Sequence, residues 1–160
     1  MEGNHMANGD WHLPPALAEA RRPKPGHPLV HLSYAQSLDG RIATRSGDSR
    51  GLSSPESLLL THMIRAESDT ILVGIGTVLA DDPMLDCRLP SGCPAPALRV
   101  VLDSGLRLPL DCRLVRTAQN QPVLVYCLPE AMHGSDKQAH IRALMDEGVM
   151  IAMLAASGTG

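Results

Sequence analysis

Between Leu29 and Leu154, short apolar runs alternate with longer stretches in which apolar residues recur at helical spacing. Leu29-Val-His-Leu-Ser-Tyr-Ala35 alternates in part and predicts a first strand. Ser54-Pro55-Glu56 has the chemistry of a helix start: a hydroxyl to accept free backbone N–H groups, a proline at the first position and an acid at the positive end. Leu59, Leu60, Met63 and Ile64 then predict one buried helix face. Thr70-Ile-Leu-Val73 reads as a buried strand that turns through Gly74 into a short helix to Ala80, stopped near Pro83. Leu98–Leu102 and Pro122–Tyr126 predict two more strands. Lys137–Glu147 predicts a helix burying Ile141, Leu144 and Met145, closed by Gly148, and Val149–Leu154 a last strand. Strands alternating with helices give an α/β fold with a mainly parallel sheet flanked by helices. No internal repeat is visible.

The lead is different. Residues 1–28 are polar and Pro-rich, with a basic run at RRPKPGHP, and are expected to be disordered or loosely docked. The internal His5-Met6 pair fits a cloning junction followed by a second start. Residues 29–160 are expected to form one domain, since 160 residues suffice for a real core.

Composition narrows the function classes. With 14 basic and 17 acidic residues the formal net charge is −3, and Trp11, Tyr34 and Tyr126 are the only aromatics, so neither a basic surface nor a stacking platform for nucleic acid is present. Cys87, Cys93, Cys112 and Cys127 show no zinc-type spacing, so reduced thiols and no metal are expected. No apolar run has membrane length and no leader is evident, which predicts a cytoplasmic protein.

Ligands of such sheets sit where strands end and helices begin. Three segments qualify: SLDGRIATRSGDSRGLS from Ser37, GIGTVLADDP from Gly74 and LDSGLRLP from Leu102. Each joins glycine, which lets a ligand approach the backbone, with hydroxyls or Asp that can hold a sugar or an amide. Singly, each is also ordinary turn chemistry, and Arg65 near a helix C-terminus is accounted for by the helix dipole alone.

Taken together, SLDGRIAT, Gly47-Asp48-Ser49, RAESDTILVGIGTVLADDPMLDCR and RVVLDSGLRLPLDCRL resemble the pyrimidine reductases of riboflavin biosynthesis, relatives of dihydrofolate reductase in fold. The resemblance runs from about Leu29 to the end of the chain. It implies a dihydrofolate-reductase-like fold and an NADPH-dependent oxidoreductase that carries hydride to C1 of a ribosylamino-pyrimidine 5′-phosphate, giving the ribitylamino compound. By position it implies that Ala35, Thr77, Asp81, Leu102, Asp103 and Ser104 line the cofactor, and that Ser49, Arg65, Leu85 and Arg88 line the substrate. Arginine suits the phosphate because its planar fork meets two oxygens at once. A homodimer is the family's habit. No general acid is assigned.

Departures from the family pattern are as informative. Fused bacterial members carry a lysine where this chain has Ser33 and a tryptophan where it has Gly51, and no deaminase motif is present, so the chain resembles the stand-alone type. Preference for the pyrimidine before or after ring deamination stays open. Family members continue past the position of Gly160 with more strands and a cofactor-contacting Glu-Gly-Gly segment, so this is expected to be the N-terminal portion of the domain and poorly active alone. The rival readings are a non-catalytic module for a nucleotide or sugar phosphate, and an inactive fragment.

Overall fold

The computed structural model describes residues 14, 15, 19, 25–43, 53–90, 92, 93 and 95–154. It divides into two units, Met1–Glu67 with Cys87–Pro94, and Ser68–Asp86 with Ala95–Gly160.

The second unit holds a parallel sheet of four strands, β1 (Thr70–Gly74), β2 (Leu98–Leu102), β3 (Val123–Cys127) and β4 (Val149–Met153), in the order β1-β2-β3-β4. Helices α2 (Ile75–Asp81), α3 (Arg113–Arg116) and α4 (Ser135–Asp146) lie between successive strands, and a 3-10 turn (Pro129–Met132) precedes α4. Side chains alternate between sheet faces, so Ile71, Arg99, Val123 and Val149 form one row and Val73, Val101, Val125 and Ile151 the next on the same face. Ile75, Val78, Leu114, Val115, Ile141 and Leu144 from the helices pack with these valines and isoleucines in one core cluster. Right-handed crossovers in a constant direction put all three helices on that face.

β2 spans Leu98–Leu102 as predicted, and the other strands differ by a residue at their ends: β1 takes in Gly74, β4 stops at Met153, and β3 omits Pro122, which has no N–H for the ladder, and takes in Cys127. β1 is not the buried strand expected, since Thr70 and Leu72 are exposed. Met145 is a correction. It is 58% exposed, because the buried stripe of α4 is narrow and centres on Ile141 and Leu144.

One row of the core face carries a charge. Arg99, at 0% exposure, donates from Nη1 to Thr117 Oγ1 (2.8 Å) and the Met84 carbonyl (3.2 Å), and from Nη2 to the carbonyls of Thr117 (3.2 Å), Leu114 (3.5 Å) and Gln121 (2.5 Å). Burial lowers its pKa from the ordinary arginine value, and the charge of Asp86 opposes that shift. The guanidinium thus ties the loop after α2 to the turn after α3.

In the first unit, α1 (Pro55–Ala66) begins as its sequence predicts, with the Ser54 hydroxyl accepting the Ser57 N–H at 3.3 Å and Pro55 at the first position. Met63 and Ile64 are buried, with Leu59, Leu60 and Leu89 against them. Asp39-Gly40 forms the expected turn: Gly40 has φ +79°, its N–H reaches the Ser37 carbonyl at 2.9 Å, and Arg41 pairs with Asp39 at 3.1 Å. The strand expected over Leu29–Ala35 is not formed. Val30, Leu32 and Tyr34 are 81%, 80% and 64% exposed. Alternation makes a segment compatible with a strand, but only a paired edge satisfies its N–H and C=O groups, and no such pairing joins this segment among the described residues.

Candidate functional site

The strand ends of the second unit converge as the register dictates. Gly74 of β1 stands opposite Leu102 of β2, which stands opposite Tyr126 of β3, so the turns leaving β1 and β2 start side by side. Gly74, Gly76, Thr77 and Ser104 are exposed, and Leu102 is 40% exposed. A Cβ built on Gly74 or Gly76 would meet nothing within 4 Å, so the backbone there lies open to a ligand. Asp81 ends α2 and is exposed, whereas the adjacent Asp82 caps that helix with φ +41° and accepts the Arg113 N–H at 2.8 Å.

The turn after β2 is held from within. Asp103, at 0% exposure, accepts the N–H groups of Arg107 and Leu108 (2.9 Å for Leu108) through Oδ2, and Arg107 Nε through Oδ1 at 3.3 Å. Its own N–H donates to the Tyr126 carbonyl at 2.9 Å, and Leu128 donates to the Ser104 carbonyl at 3.3 Å. Lys137, in the first turn of α4, donates to the carbonyls of Gly105 (2.7 Å) and Leu106 (3.2 Å). Leu106 therefore keeps φ +53°, an unfavourable conformation for a leucine, while staying 1% exposed. The result is a hydrogen-bonded turn that carries the exposed Ser104 and leaves β2 next to the strand end that carries Gly74.

The remaining candidates divide between the units. Leu85 belongs to the second, where it is 4% exposed within the core cluster and adopts φ +51°. Ala35, half-buried, Arg65 and Arg88 belong to the first. Ser49 lies outside the described residues, as does the rest of Gly47-Asp48-Ser49. Arg65 sits in the last turn of α1 and Arg88 is exposed on the loop that follows Leu85. The Arg88 N–H donates to His62 Nδ1 at 3.2 Å, and His62 stands one turn before Arg65, so a single helix face carries Arg65 and anchors the Arg88 backbone.

Sequence reasoning missed three features. Cys87 and Cys93 are joined in a disulfide, correcting the expectation of four reduced thiols; only Cys112 and Cys127 are free. The physical reason is the hydrogen bond from the Gly92 N–H to the Leu89 carbonyl at 3.0 Å, with Gly92 at φ +87°, which accompanies a Cα separation of 6.0 Å between the two cysteines. The glycine is the available signal. His62 and Arg99 give none, since their partners are remote in sequence.

A sequence profile of the RibD C-terminal domain matches residues 28–159. The chain is 36% identical over 137 residues to the 2,5-diamino-6-ribosylamino-4(3H)-pyrimidinone 5′-phosphate reductase of Archaeoglobus fulgidus, covering 79% of this chain and 63% of that protein. It is 55% identical over 67 residues to the Debaryomyces hansenii protein of the same name, covering 42% of this chain and 27% of the relative. Among solved structures, Acinetobacter baumannii RibD superposes with a TM-score of 0.60 at 30% identity over 79% of this chain and 33% of that one. The Saccharomyces riboflavin biosynthesis reductase Rib7 gives 0.54 at 28% identity over 79% and 48%. The chain thus spans less than two thirds of the length of these relatives, and the fold is the dihydrofolate-reductase-like one that its sequence motifs imply. Matched from residue 28 to residue 159 in sequence and again in its sheet, the chain belongs to the RibD C-terminal domain family.

Proposed function

We propose that this chain carries the reductase chemistry of riboflavin biosynthesis: reduction, with NADPH, of a ribosylamino-pyrimidine 5′-phosphate to its ribitylamino form. The observation that carries the reading is the match to proteins named as pyrimidinone 5′-phosphate reductases, with the motif run from Arg65 to Arg88 inside the matched region.

The residues at the strand ends fit a reduced nicotinamide cofactor. Gly74 and Gly76 leave backbone open to an approaching group, and the exposed residues Thr77 and Ser104 carry hydroxyls able to form neutral hydrogen bonds. When bound, the cofactor would supply the hydride equivalent needed to reduce the sugar at C1. On this reading Thr77, Asp81, Leu102 and Ser104 would hold the cofactor and Asp103 fixes the turn on which Ser104 stands, while Ala35 is a cofactor candidate from the family resemblance alone. Arg65 and Arg88, with Ser49, are the candidates for the substrate, the arginines taking its phosphate, and Leu85 is carried over from the family resemblance although its side chain is buried in the core cluster. Catalysis on this reading is positioning, since hydride transfer needs donor and acceptor within roughly 3 to 3.5 Å and no covalent intermediate. A homodimer and a cytoplasmic location follow the family resemblance and belong to the proposal.

The experiment offers the chain NADPH or NADH with the phosphate of either the diamino-pyrimidinone or its deaminated form. Loss of reduced-cofactor absorbance must coincide with a product heavier by two hydrogens. Binding of both ligands without turnover would instead make the chain a binding module.

A further inference from the structure

The loop that carries Arg88 is fixed at three points. Leu89 packs against Met63 and Ile64 of α1, the Cys87–Cys93 disulfide closes the loop, and the Arg88 N–H donates to His62 Nδ1 at 3.2 Å. The last of these acts on the residue whose side chain is a candidate phosphate ligand. Cys87 Sγ also lies 3.7 Å from the His62 carbonyl oxygen, a second link between loop and helix, and within the loop the Leu89 N–H donates to Cys93 Sγ at 3.5 Å.

We propose that His62 is a positioning residue for substrate phosphate, its Nδ1 accepting the Arg88 N–H and so aiming the Arg88 guanidinium from the helix face that also carries Arg65. The proposal rests on the reading of Arg88 as a phosphate ligand.

The geometry defines the chemistry required. A backbone N–H can only donate, so Nδ1 must present its lone pair, which makes the working ring neutral with its proton on Nε2. His62 is half-buried in the middle of α1, so the acceptor is held by a helix rather than by another loop. Arginine recognises phosphate through a planar fork, and a fork is useful only when its backbone origin is fixed. Losing the anchor lets the loop sample other orientations, and ordering it again on binding weakens affinity without altering the hydride step.

The choice of substitution separates this role from mere packing. Asparagine places its Oδ1 close to the position of imidazole Nδ1, whereas glutamine places its carbonyl oxygen one bond further out, near Nε2. His62→Ala is expected to raise the Kd for the ribosylamino-pyrimidine 5′-phosphate about fivefold, the usual worth of one neutral hydrogen bond. His62→Asn is expected to stay within about twofold of the parent, and His62→Gln to behave like His62→Ala. The unphosphorylated ribosylamino-pyrimidine should bind all four proteins alike, and kcat at saturating substrate should not change.

Calorimetry on the whole chain, with Arg88→Ala alongside and denaturation midpoints for each variant, decides the matter. If Arg88→Ala discriminates against the phosphate while His62→Ala, His62→Asn and His62→Gln all bind like the parent, the inference about His62 is overturned and the reading of Arg88 stands. If His62→Asn fails as badly as His62→Ala at an unchanged denaturation midpoint, the Nδ1 acceptor is not the working group and the inference is again overturned. If Arg88→Ala itself leaves phosphate binding unchanged, the reading of the loop falls and takes His62 with it.

Discussion

Removing the carboxylate of Asp103 should unfold the candidate cofactor turn before anything else. That group has 0% exposure and accepts two main-chain N–H groups, from Arg107 and Leu108, plus Arg107 Nε at 3.3 Å. Each main-chain bond to a buried charge contributes about 1.5 to 3 kcal/mol. The Arg107 ion pair adds little, about 0 to 1 kcal/mol, because the Arg107 side chain is 55% exposed and solvent screens it. Asp103→Ala leaves both N–H groups without an acceptor and is expected to cost about 3 to 6 kcal/mol, the upper figure applying if no water enters. Against a total stability of about 5 to 15 kcal/mol, that is a large share. Asp103→Asn keeps one carbonyl oxygen but turns charged bonds into neutral ones, and its amide cannot accept, so about 2 kcal/mol is expected. Urea denaturation followed by circular dichroism gives both values, with the slope unchanged if the denatured state is unaffected. A loss under about 1 kcal/mol for Asp103→Ala, or equal losses for Ala and Asn, would refute the reasoning.

Other changes test the remaining groups. Arg99→Met keeps the apolar stem but strands the carbonyls of Met84, Leu114, Thr117 and Gln121, and is expected to cost about 3 to 5 kcal/mol in the same assay, with Arg99→Lys between it and the parent. Thiol titration should find no fast-reacting cysteine in the native chain, two after denaturation and four after denaturation with reduction, since Cys112 and Cys127 are 6% and 1% exposed and Cys87 is bonded to Cys93. Burial raises the pKa of both free thiols, so their contribution to stability is full below the unfolded thiol's pKa and is lost as pH climbs through the raised native values; alkaline unfolding curves of the Cys112→Ala and Cys127→Ala variants should show a shallower fall there. Thr77→Ala with Asp81→Asn should weaken NADPH binding measured by calorimetry, and unchanged affinity would remove those residues from the site.

The parts of the fold that are legible in the sequence are those where local and global preferences agree. Thr70-Ile-Leu-Val73 is β-branched, apolar and followed by glycines, so strand and turn announce themselves, and α1 carries its cap, its proline and its apolar stripe within one stretch. Leu29–Ala35 carries similar local marks of a strand and is not one, because pairing is decided by a partner elsewhere in the chain. Arg99 is illegible for a related reason. A lone charge in an apolar pentad looks like an exposed position, and the acceptors that make its burial possible come from residues 84, 114, 117 and 121. The glycine shelf and Ser104 can be named from turn chemistry, but that Asp103 spends both oxygens on its own turn can be seen only with the turn closed.

Burial also sorts the arginines by what they can do. A guanidinium taken fully out of water needs protein acceptors, and Arg99 commits both terminal nitrogens to five bonds while its buried Nε has no partner, which leaves it a structural tie. A ligand-binding arginine needs the opposite arrangement, a backbone held firmly and a fork that a phosphate can reach. Arg88 meets that condition: His62, Leu89 and the Cys87–Cys93 bond constrain its main chain while the residue remains exposed. The two acids of the candidate cofactor site differ in burial, Asp103 being enclosed and used by its own turn and Asp81 standing exposed at the end of α2. Among residues of one type, then, it is the pattern of main-chain constraint and side-chain access, more than the residue's identity, that selects the candidates for ligand binding.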